Sequence, residues 1–314
     1  MTKVLVTGGA GFIGSHIADA LVGQGREVHI LDDLSSGVRE NVPDAAKLHV
    51  MDVRSEDVAS LFAEEKFDLL VHHAAQMDVR KSVTDPRYDA DVNVGGLINL
   101  MEAGRRAGLK KVVFASTGGA IYGEPEYAPQ DEAHPLKPLS PYGIAKLSSE
   151  KYLFFYREQY GIDYVALRYG NVYGPRQNPH GEAGVVAIFA ERMLAGESTV
   201  INGDGLQTRD YVFVRDVVAA NMAAVAYDGS GVFNVGTSVE TDVNTLWRTL
   251  QDLADPEVQP VHGPGKPGEQ RRSVLAYGLT KSELGWEPSV NVQNGLRATF
   301  EWFRNRSEAV GTDV

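Results

Sequence analysis

The sequence predicts an α/β protein: a doubly wound parallel sheet, followed by a smaller and mixed C-terminal unit. Two observations support this fold class. From residue 3 to about residue 170, short apolar segments alternate with segments of helical pattern that are long enough for crossover helices. Most of the apolar segments lack a polar face, which is typical of strands that helices cover on both sides.

Six segments of this region are predicted to be strands, at residues 3–7, 28–31, 48–51, 69–72, 112–115 and 164–168. Two of the helices between them have clear boundaries. Pro86 and Gly108 bracket a long helix that contains Asn93. Another helix is expected to begin at Ser140-Pro141, because proline is favoured at an early helical position.

The character of the sequence changes after about residue 171, where glycine, proline and asparagine become frequent through residues 174–181. We therefore predict one domain over residues 1–172 and a second over residues 173–314. The boundary is not a clean cut, because residues 210–227 and 232–236 have strand-like and helical patterns. Segments around 210–237 are expected to return to the first sheet.

Composition and charge exclude several classes of function. The chain of 314 residues has 30 Lys and Arg against 42 Asp and Glu, a net charge of −12, without a basic stripe. This balance argues against nucleic acid and membrane surfaces as partners. The absence of cysteine excludes disulfides, Cys-ligated metals and a thiol nucleophile. No apolar run reaches the length of a signal peptide or a membrane span, so a cytoplasmic protein is expected.

The first predicted strand runs into the segment Thr7-Gly8-Gly9-Ala10-Gly11-Phe12-Ile13-Gly14, which is followed by a helical pattern. Its glycines match two spacings used by dinucleotide-binding turns, although such a cluster alone also fits a plain tight turn. The second strand ends at Asp32, 18 residues after Gly14, where a carboxylate accepts hydrogen bonds from ribose hydroxyls and repels a 2′-phosphate. This order predicts a Rossmann-type domain that binds NAD. Asp52 and Val53 are expected to flank the adenine, or Asp52 is a solvated acid at a strand end.

Tyr142 and Lys146 lie four residues apart and would share one face of a helix. A nearby ammonium favours the phenolate and is expected to lower the pKa of the tyrosine, so the pair is suited to acid–base chemistry. A chance surface pair is the alternative. The pair follows the hydroxyl-rich fifth strand, which ends in Ser116 and Thr117, and this order favours catalysis.

These motifs resemble those of the extended short-chain dehydrogenase/reductase superfamily and, within it, the NAD-dependent epimerase/dehydratase family of sugar-nucleotide epimerases. The resemblance covers nearly the whole chain, and it includes residues 168–175 and 208–211. It implies 4-epimerisation of a UDP-sugar through a 4-keto intermediate, with UDP-glucose and UDP-galactose as the first substrate pair. In this scheme Tyr142 takes the proton of the sugar 4-hydroxyl, and Lys146 holds the nicotinamide ribose and stabilises the phenolate.

The resemblance assigns sixteen positions to the NAD site: Gly8, Gly11, Phe12, Ile13, Gly14, Asp32, Asp52, Val53, His73, Ala74, Ala75, Asn93, Ser116, Tyr142, Lys146 and Tyr169. It assigns ten positions to the UDP-sugar site: Thr117, Tyr142, Asn171, Gly184, Val185, Val200, Asn202, Arg209, Arg271 and Ser273. The choice between Arg271 and Arg272 for the diphosphate stays open. His180 is expected in a loop near the sugar. No metal site is expected, because the eight histidines lack metal-ligand spacing.

One position departs from the family pattern. Many epimerases carry a serine or threonine four residues before the tyrosine of the Tyr-Gly pair, and Gly118 stands there. We predict that Thr117 binds the sugar 4-oxygen instead, with Ser116 as the alternative. Related dehydratases and decarboxylases place acids where this chain has Gly119 and Ala120, which disfavours elimination of water.

Ser273 falls where narrow epimerases carry a bulky tyrosine, so a 2-acetamido sugar would also fit. The alternative hypothesis is a 4-epimerase of UDP-glucuronate or UDP-N-acetylglucosamine, which would use the same chemistry. An NAD-sensing regulator without turnover is the rival hypothesis, and the Tyr142–Lys146 pair disfavours it. The resemblance also implies a homodimer formed by the helices around residues 91–108 and 141–160.

Overall fold

A computed structural model of the chain describes residues 2–179, 184–254, 257–265 and 270–311. Its main feature is a seven-stranded sheet with the order β10-β6-β5-β4-β1-β2-β3, in which every pairing is parallel. The strands of this sheet are β1 (Lys3–Thr7), β2 (Glu27–Asp32), β3 (Lys47–Val50), β4 (Leu69–His72), β5 (Lys111–Thr117), β6 (Asp163–Tyr169) and β10 (Gly231–Val235). The predicted fold class is confirmed, and the six predicted strands agree with the observed bounds to within two residues.

Helices cover both faces of this sheet, as the apolar strands predicted. The helices of the chain are α1 (Phe12–Gly23), α2 (Asp57–Glu65), α3 (Val79–Thr84), α4 (Pro86–Ala90), α5 (Gly96–Ala107), α6 (Gly118–Ile121), α7 (Pro141–Tyr160), α8 (Val185–Leu194), α9 (Val214–Ala226), α10 (Val243–Gln251), α11 (Gly278–Leu284) and α12 (Val292–Gly311). Side chains alternate between the two faces along a strand. In β1, Val4 and Val6 pack in one core with α1 and α9, whereas Leu5 packs in the other with α2, α5 and α7.

The remaining strands form two small sheets: β7 (Asn171–Tyr173), β8 (Thr199–Asn202), β9 (Thr208–Phe213), β11 (Glu240–Asp242) and β12 (Pro260–Gly263). β9 pairs with β7 in parallel and with β11 antiparallel, so this sheet is mixed. β10 returns to the large sheet as predicted, and α9 packs against α1 and β6. The strand before α9 does not return, because β9 belongs to the small sheet; that part of the prediction is wrong.

The helix predicted between Pro86 and Gly108 is present, and it contains a local irregularity at Asn93. α4 continues through a π-helical turn over Asp91–Gly95 into α5, which ends at Gly108 with a φ of +90°. The second predicted helix, α7, starts after Ser140, whose hydroxyl accepts a hydrogen bond from the Gly143 amide. Among the helices described, none is both long and apolar enough to cross a membrane.

Candidate active site

The turn after β1 has two positions that require glycine. Gly8 has a φ of +67°, and a Cβ there would lie 2.6 Å from the backbone nitrogen of Ala74. A Cβ at Gly14 would overlap the backbone carbonyl oxygen of Gly8. α1 begins directly after Gly11, and no side chain caps its first amides. The start of this helix is therefore suited to bind an anionic group.

Asp32 lies at the end of β2 beside this turn and is 6% exposed. Its two carboxylate oxygens accept hydrogen bonds from the amides of Ala10 and Leu34, both at 2.9 Å. Burial raises the pKa of Asp32, and these two hydrogen bonds oppose the shift. Phe12 and Ile13 lie half-buried in the first turn of α1. The structure thus brings the predicted turn, helix and acid together.

Asp52 and Val53 follow β3, as expected, but their side chains differ in environment. Asp52 forms a two-point ion pair with Arg54, with oxygen–nitrogen distances of 2.6 and 3.0 Å. This ion pair lowers the pKa of Asp52. Val53 is buried and packs against Gly96. A Cβ added to Gly96 would lie 2.6 Å from a methyl group of Val53. Asp52 is thus already paired with a neighbouring cation.

His73 and Ala75 lie half-buried after β4. The Nε2 atom of His73 lies 3.0 Å from the hydroxyl of Tyr169, which also contacts Asn221. The Nδ1 atom of His73 is buried and has no hydrogen-bond partner among the described residues. Burial and the charge of Lys146 lower the pKa of His73 to about 3, so its ring is neutral at physiological pH.

Asn93 fastens the π-helical turn to the loop after β4. Its amide oxygen accepts from the backbone of Gln76, and its amide nitrogen donates to the Gln76 carbonyl at 2.9 Å and to Asp89 at 3.0 Å. The backbone carbonyl of Asn93 accepts a hydrogen bond from Ser149 on α7 at 3.2 Å. Because Asn93 is 2% exposed and its amide is fully used, its observed role is to hold these elements together.

Tyr142 and Lys146 share one face of α7. Lys146 is 3% exposed and donates a hydrogen bond to the carbonyl of Ala115 at 2.9 Å, so the pair is not a chance surface pair. Its ammonium nitrogen lies 5.8 Å from the centre of the Tyr142 ring. Burial lowers the pKa of Lys146 to about 8.

Burial and the charge of Asp89 raise the pKa of Tyr142. This direction is opposite to the predicted lowering, because burial disfavours the charged phenolate and the negative charge of Asp89 acts in the same sense.

The two hydroxyl groups at the end of β5 have different surroundings. Ser116 is 4% exposed and donates to the carboxylate of Glu150 at 2.7 Å. The Thr117 hydroxyl is half-buried and accepts from the Ala120 amide at 3.3 Å, so its own proton stays available for donation. A Cβ at Gly118 would lie 2.5 Å from the Leu275 side chain, so a serine or threonine there would require this side chain to move. These contacts favour Thr117 over Ser116.

A buried ion pair behind the tyrosine and lysine was not predicted from the sequence. The carboxylate of Glu150 accepts two hydrogen bonds from Arg168, at 2.7 and 2.9 Å, and both side chains are at most 4% exposed. Arg168 also donates to the Tyr122 hydroxyl at 2.9 Å. Glu150 lies four residues after Lys146, and this helical spacing was the one signal in the sequence that pointed to it.

The arginines expected to bind a diphosphate lie on the smaller unit and contact acids or backbone. Arg209 is half-buried and donates to the Thr208 carbonyl at 2.8 Å. Arg271 is 63% exposed and lies 3.2 Å from Asp204. Arg272 is also exposed and lies 2.9 Å from Glu240.

The other predicted sugar-nucleotide residues are spread over several elements. Asn171 starts β7, Gly184 and Val185 start α8, and Val200 and Asn202 lie on β8.

Ser273 is 2% exposed, and its hydroxyl would lie 3.9 Å from a Cβ at Gly119. The structure thus brings Ser273 to the segment that carries Thr117. His180 lies outside the described residues.

Within the described ranges, one cluster has metal-like geometry. One ligand atom each from His29, His49 and Glu65 lies within 4.8 Å of the other two. The spacing in the sequence did not indicate this cluster, because its members come from three elements. Lys3 and Lys47 bind the two carboxylate oxygens of Glu65 at 2.8 and 2.5 Å, so we assign it no metal.

Comparison with known families agrees with this arrangement. The sequence model of the NAD dependent epimerase/dehydratase family matches residues 4–236, which include the glycine turn, Tyr142 and Lys146. The chain belongs to this family. We therefore compare the whole chain with individual proteins of this family.

Three similar proteins extend the match over almost the full length. The UDP-glucose 4-epimerase of Mycolicibacterium smegmatis is 46% identical over 98% of this chain and 100% of its own. The crystal structure of the Thermotoga maritima UDP-glucose 4-epimerase with UDP-glucose is 46% identical, with a TM-score of 0.95 over 98% of this chain and 100% of its own. The Thermus thermophilus enzyme in complex with NAD is 47% identical, with a TM-score of 0.90 over 96% and 99%.

Proposed function

We propose that the protein catalyses the NAD-dependent 4-epimerisation of a UDP-sugar, with UDP-glucose and UDP-galactose as its main substrate pair. The observation that carries this proposal is the buried Lys146 beside Tyr142 in a member of this family. The similarity to the Thermotoga maritima UDP-glucose 4-epimerase supports the choice of substrate.

The residues around the glycine turn fit NAD. The uncapped start of α1 suits a diphosphate, and each oxygen of Asp32 retains a lone pair for a ribose hydroxyl. The unpartnered Nδ1 atom of His73 can hydrogen-bond a polar group of the cofactor. When bound, NAD supplies reversible acceptance of a hydride from the sugar carbon.

The chain's own residues handle the proton. Tyr142 accepts the proton of the 4-hydroxyl and returns it after the keto sugar presents its other face. The ammonium of Lys146 stabilises the phenolate, and a pKa of about 8 keeps most of it charged at neutral pH. Thr117 donates a hydrogen bond to the 4-oxygen and so holds the reacting carbon in place.

On the substrate side, Arg209 and Arg271 are proposed to bind the diphosphate. An arginine fork suits phosphate oxygens, and Arg271 would exchange its exposed contact with Asp204 for a diphosphate contact. The small Ser273 leaves room for a 2-acetamido group, so UDP-N-acetylglucosamine is a second substrate to test. Such a local positive pocket is compatible with an overall charge of −12.

Product analysis tests this function. The NAD-loaded protein is incubated separately with UDP-glucose, UDP-glucuronate and UDP-N-acetylglucosamine, and the 4-epimers are separated by chromatography. We expect the highest kcat/KM for UDP-glucose. The absence of any 4-epimer from all three sugars would exclude the proposal, and NAD binding without turnover would support the regulator hypothesis.

The predicted homodimer is also proposed here. α7 exposes five large apolar side chains: Ile144, Tyr152, Phe154, Phe155 and Tyr160. Such a patch is typical of a protein interface. Light scattering should give twice the mass of the chain, and Phe155→Asp should lower it to that of one chain. A wild-type protein with the mass of one chain would exclude the dimer.

The location in the cytoplasm, which was predicted from the sequence, stays a prediction.

A further inference from the structure

Asp89 is a buried carboxylate that none of the roles above uses. It lies on α4 and is 1% exposed. Its Oδ1 atom accepts hydrogen bonds from the side-chain amides of Gln76 at 2.8 Å and Asn93 at 3.0 Å. Its Oδ2 atom is buried and has no hydrogen-bond partner in the described part of the chain. A buried carboxylate with one free oxygen is unusual, because burial without partners costs free energy.

The field of this carboxylate reaches the proposed catalytic pair. α4 packs against α7, which carries Tyr142 and Lys146. Burial is the largest influence on both groups: it lowers the pKa of Lys146 and raises that of Tyr142. The negative charge of Asp89 opposes burial at Lys146, where it favours the ammonium, and adds to burial at Tyr142, where it disfavours the phenolate. The hydrogen bond from Ser149 to the Asn93 carbonyl holds α7 to the helix that bears Asp89.

Asp89 is the main source of negative charge acting on Tyr142 and Lys146, because the other titratable groups that act on them are neutral or are paired with a cation. Glu150 on α7 also favours the ammonium of Lys146, but Arg168 neutralises it through two hydrogen bonds. His72 is the last residue of β4, and His73 comes directly after it. Burial lowers the pKa of both rings, so both are neutral at physiological pH. Among the described groups, Asp89 is therefore the carboxylate near Lys146 without a cation of its own.

We propose that Asp89 is a positioning residue of the epimerisation: its fixed negative charge keeps Lys146 in the ammonium form and sets the pH at which Tyr142 becomes a base. This inference rests on the proposed function. Its mechanism is purely electrostatic, because Asp89 acts through Lys146 and Tyr142. The hydrogen bonds from Gln76 and Asn93 hold the carboxylate in one orientation.

Asp89→Asn tests the charge while it preserves the shape. The asparagine oxygen can still accept both hydrogen bonds from Gln76 and Asn93, so the main change is the loss of the charge. Both limbs of the pH profile of kcat should move to lower pH, by about one pH unit, because a removed negative charge lowers the pKa of Tyr142 and of Lys146. A merely structural role would reduce activity without moving the profile.

A spectroscopic titration of the NAD-loaded protein gives a second readout that needs no turnover. The tyrosinate absorbance of a Tyr142→Phe protein is subtracted at each pH, so that the remaining signal reports Tyr142. This signal should appear at lower pH in Asp89→Asn than in the wild type. Asp91→Asn is the matched control, because Asp91 is exposed on the adjoining turn, and it should leave the titration unchanged.

The outcomes separate this inference from the proposed function. If Asp89→Asn does not fold, Asp89→Ser removes the same charge with a smaller side chain and should shift the titration equally. Asp89→Glu keeps the negative charge and should therefore keep the wild-type pH profile of kcat. An unchanged Tyr142 titration in folded, uncharged variants would overturn the inference, even if the enzyme epimerises UDP-glucose. A shifted titration in a protein without epimerase activity would support the role of Asp89 and reject the proposed function.

Discussion

The two halves of the candidate site use charge in different ways. Around Tyr142, the charged groups are buried and held by protein contacts, as in the pair formed by Glu150 and Arg168. On the sugar-nucleotide side, Arg271 and Arg272 are exposed and contact exposed or half-exposed acids. Exposed pairs exchange partners at little cost, whereas a buried charge is costly to leave alone. The difference supports the proposal that the proton-transfer residues are held in place by the protein, whereas the ion pairs of the arginines proposed to bind the diphosphate can be replaced by the substrate.

The largest expected effect comes from the phenol itself. Tyr142→Phe should reduce kcat by about 10²- to 10⁴-fold, the usual contribution of a positioned acid–base group. Bound NAD and the thermal unfolding temperature should stay near their wild-type values, because the Tyr142 hydroxyl forms no hydrogen bond with another residue in the described part of the chain. Full activity of Tyr142→Phe would contradict the assignment of the base.

The next prediction compares a buried ion pair with an exposed one. Glu150→Gln leaves Arg168 buried without its counter-charge and should lower the free energy of unfolding by about 3–5 kcal/mol. Glu240→Gln, which removes the half-buried partner of the exposed Arg272, should change it by less than about 1 kcal/mol. Urea unfolding of both variants in one buffer measures the contrast. Equal effects would mean that burial does not distinguish the two halves.

The smallest effect concerns an intermediate case, the half-buried Glu65. Hydrogen bonds from Lys3 and Lys47 lower the pKa of Glu65 to about 2. Since the folded-state pKa lies below the unfolded one, this carboxylate stabilises the fold above pH 4.5 and loses the effect as the pH falls toward 2. Glu65→Gln should cost about 1 kcal/mol at pH 7. The difference from wild type should shrink in acid, and a pH-independent cost would rule out the ionic origin.

Local patterns of the sequence predicted the positions of the glycine turn, of Asp32 at the end of β2 and of the start of α7. Each follows from strand, turn and helix-start preferences of a short segment, and such preferences leave a readable spacing in the sequence. The helix break at Asn93 and the contacts of Asp89 were not predicted. They depend on Gln76 and Ser149, which approach from other elements, and no spacing within one helix records such a contact.

The sequence by itself determined the parallel sheet, the glycine turn and the Tyr142–Lys146 pair, because strand and helix periodicity and backbone sterics act over short distances. Only the tertiary structure decided which of the two hydroxyls at the end of β5 donates to another side chain and which charged groups are buried around Lys146. Ser116 on β5 donates to Glu150 on α7, and the charge of Asp89 on α4 acts on the buried Lys146. Burial and electrostatic fields depend on the whole fold, so a pKa of this pair could not be inferred from residue types alone.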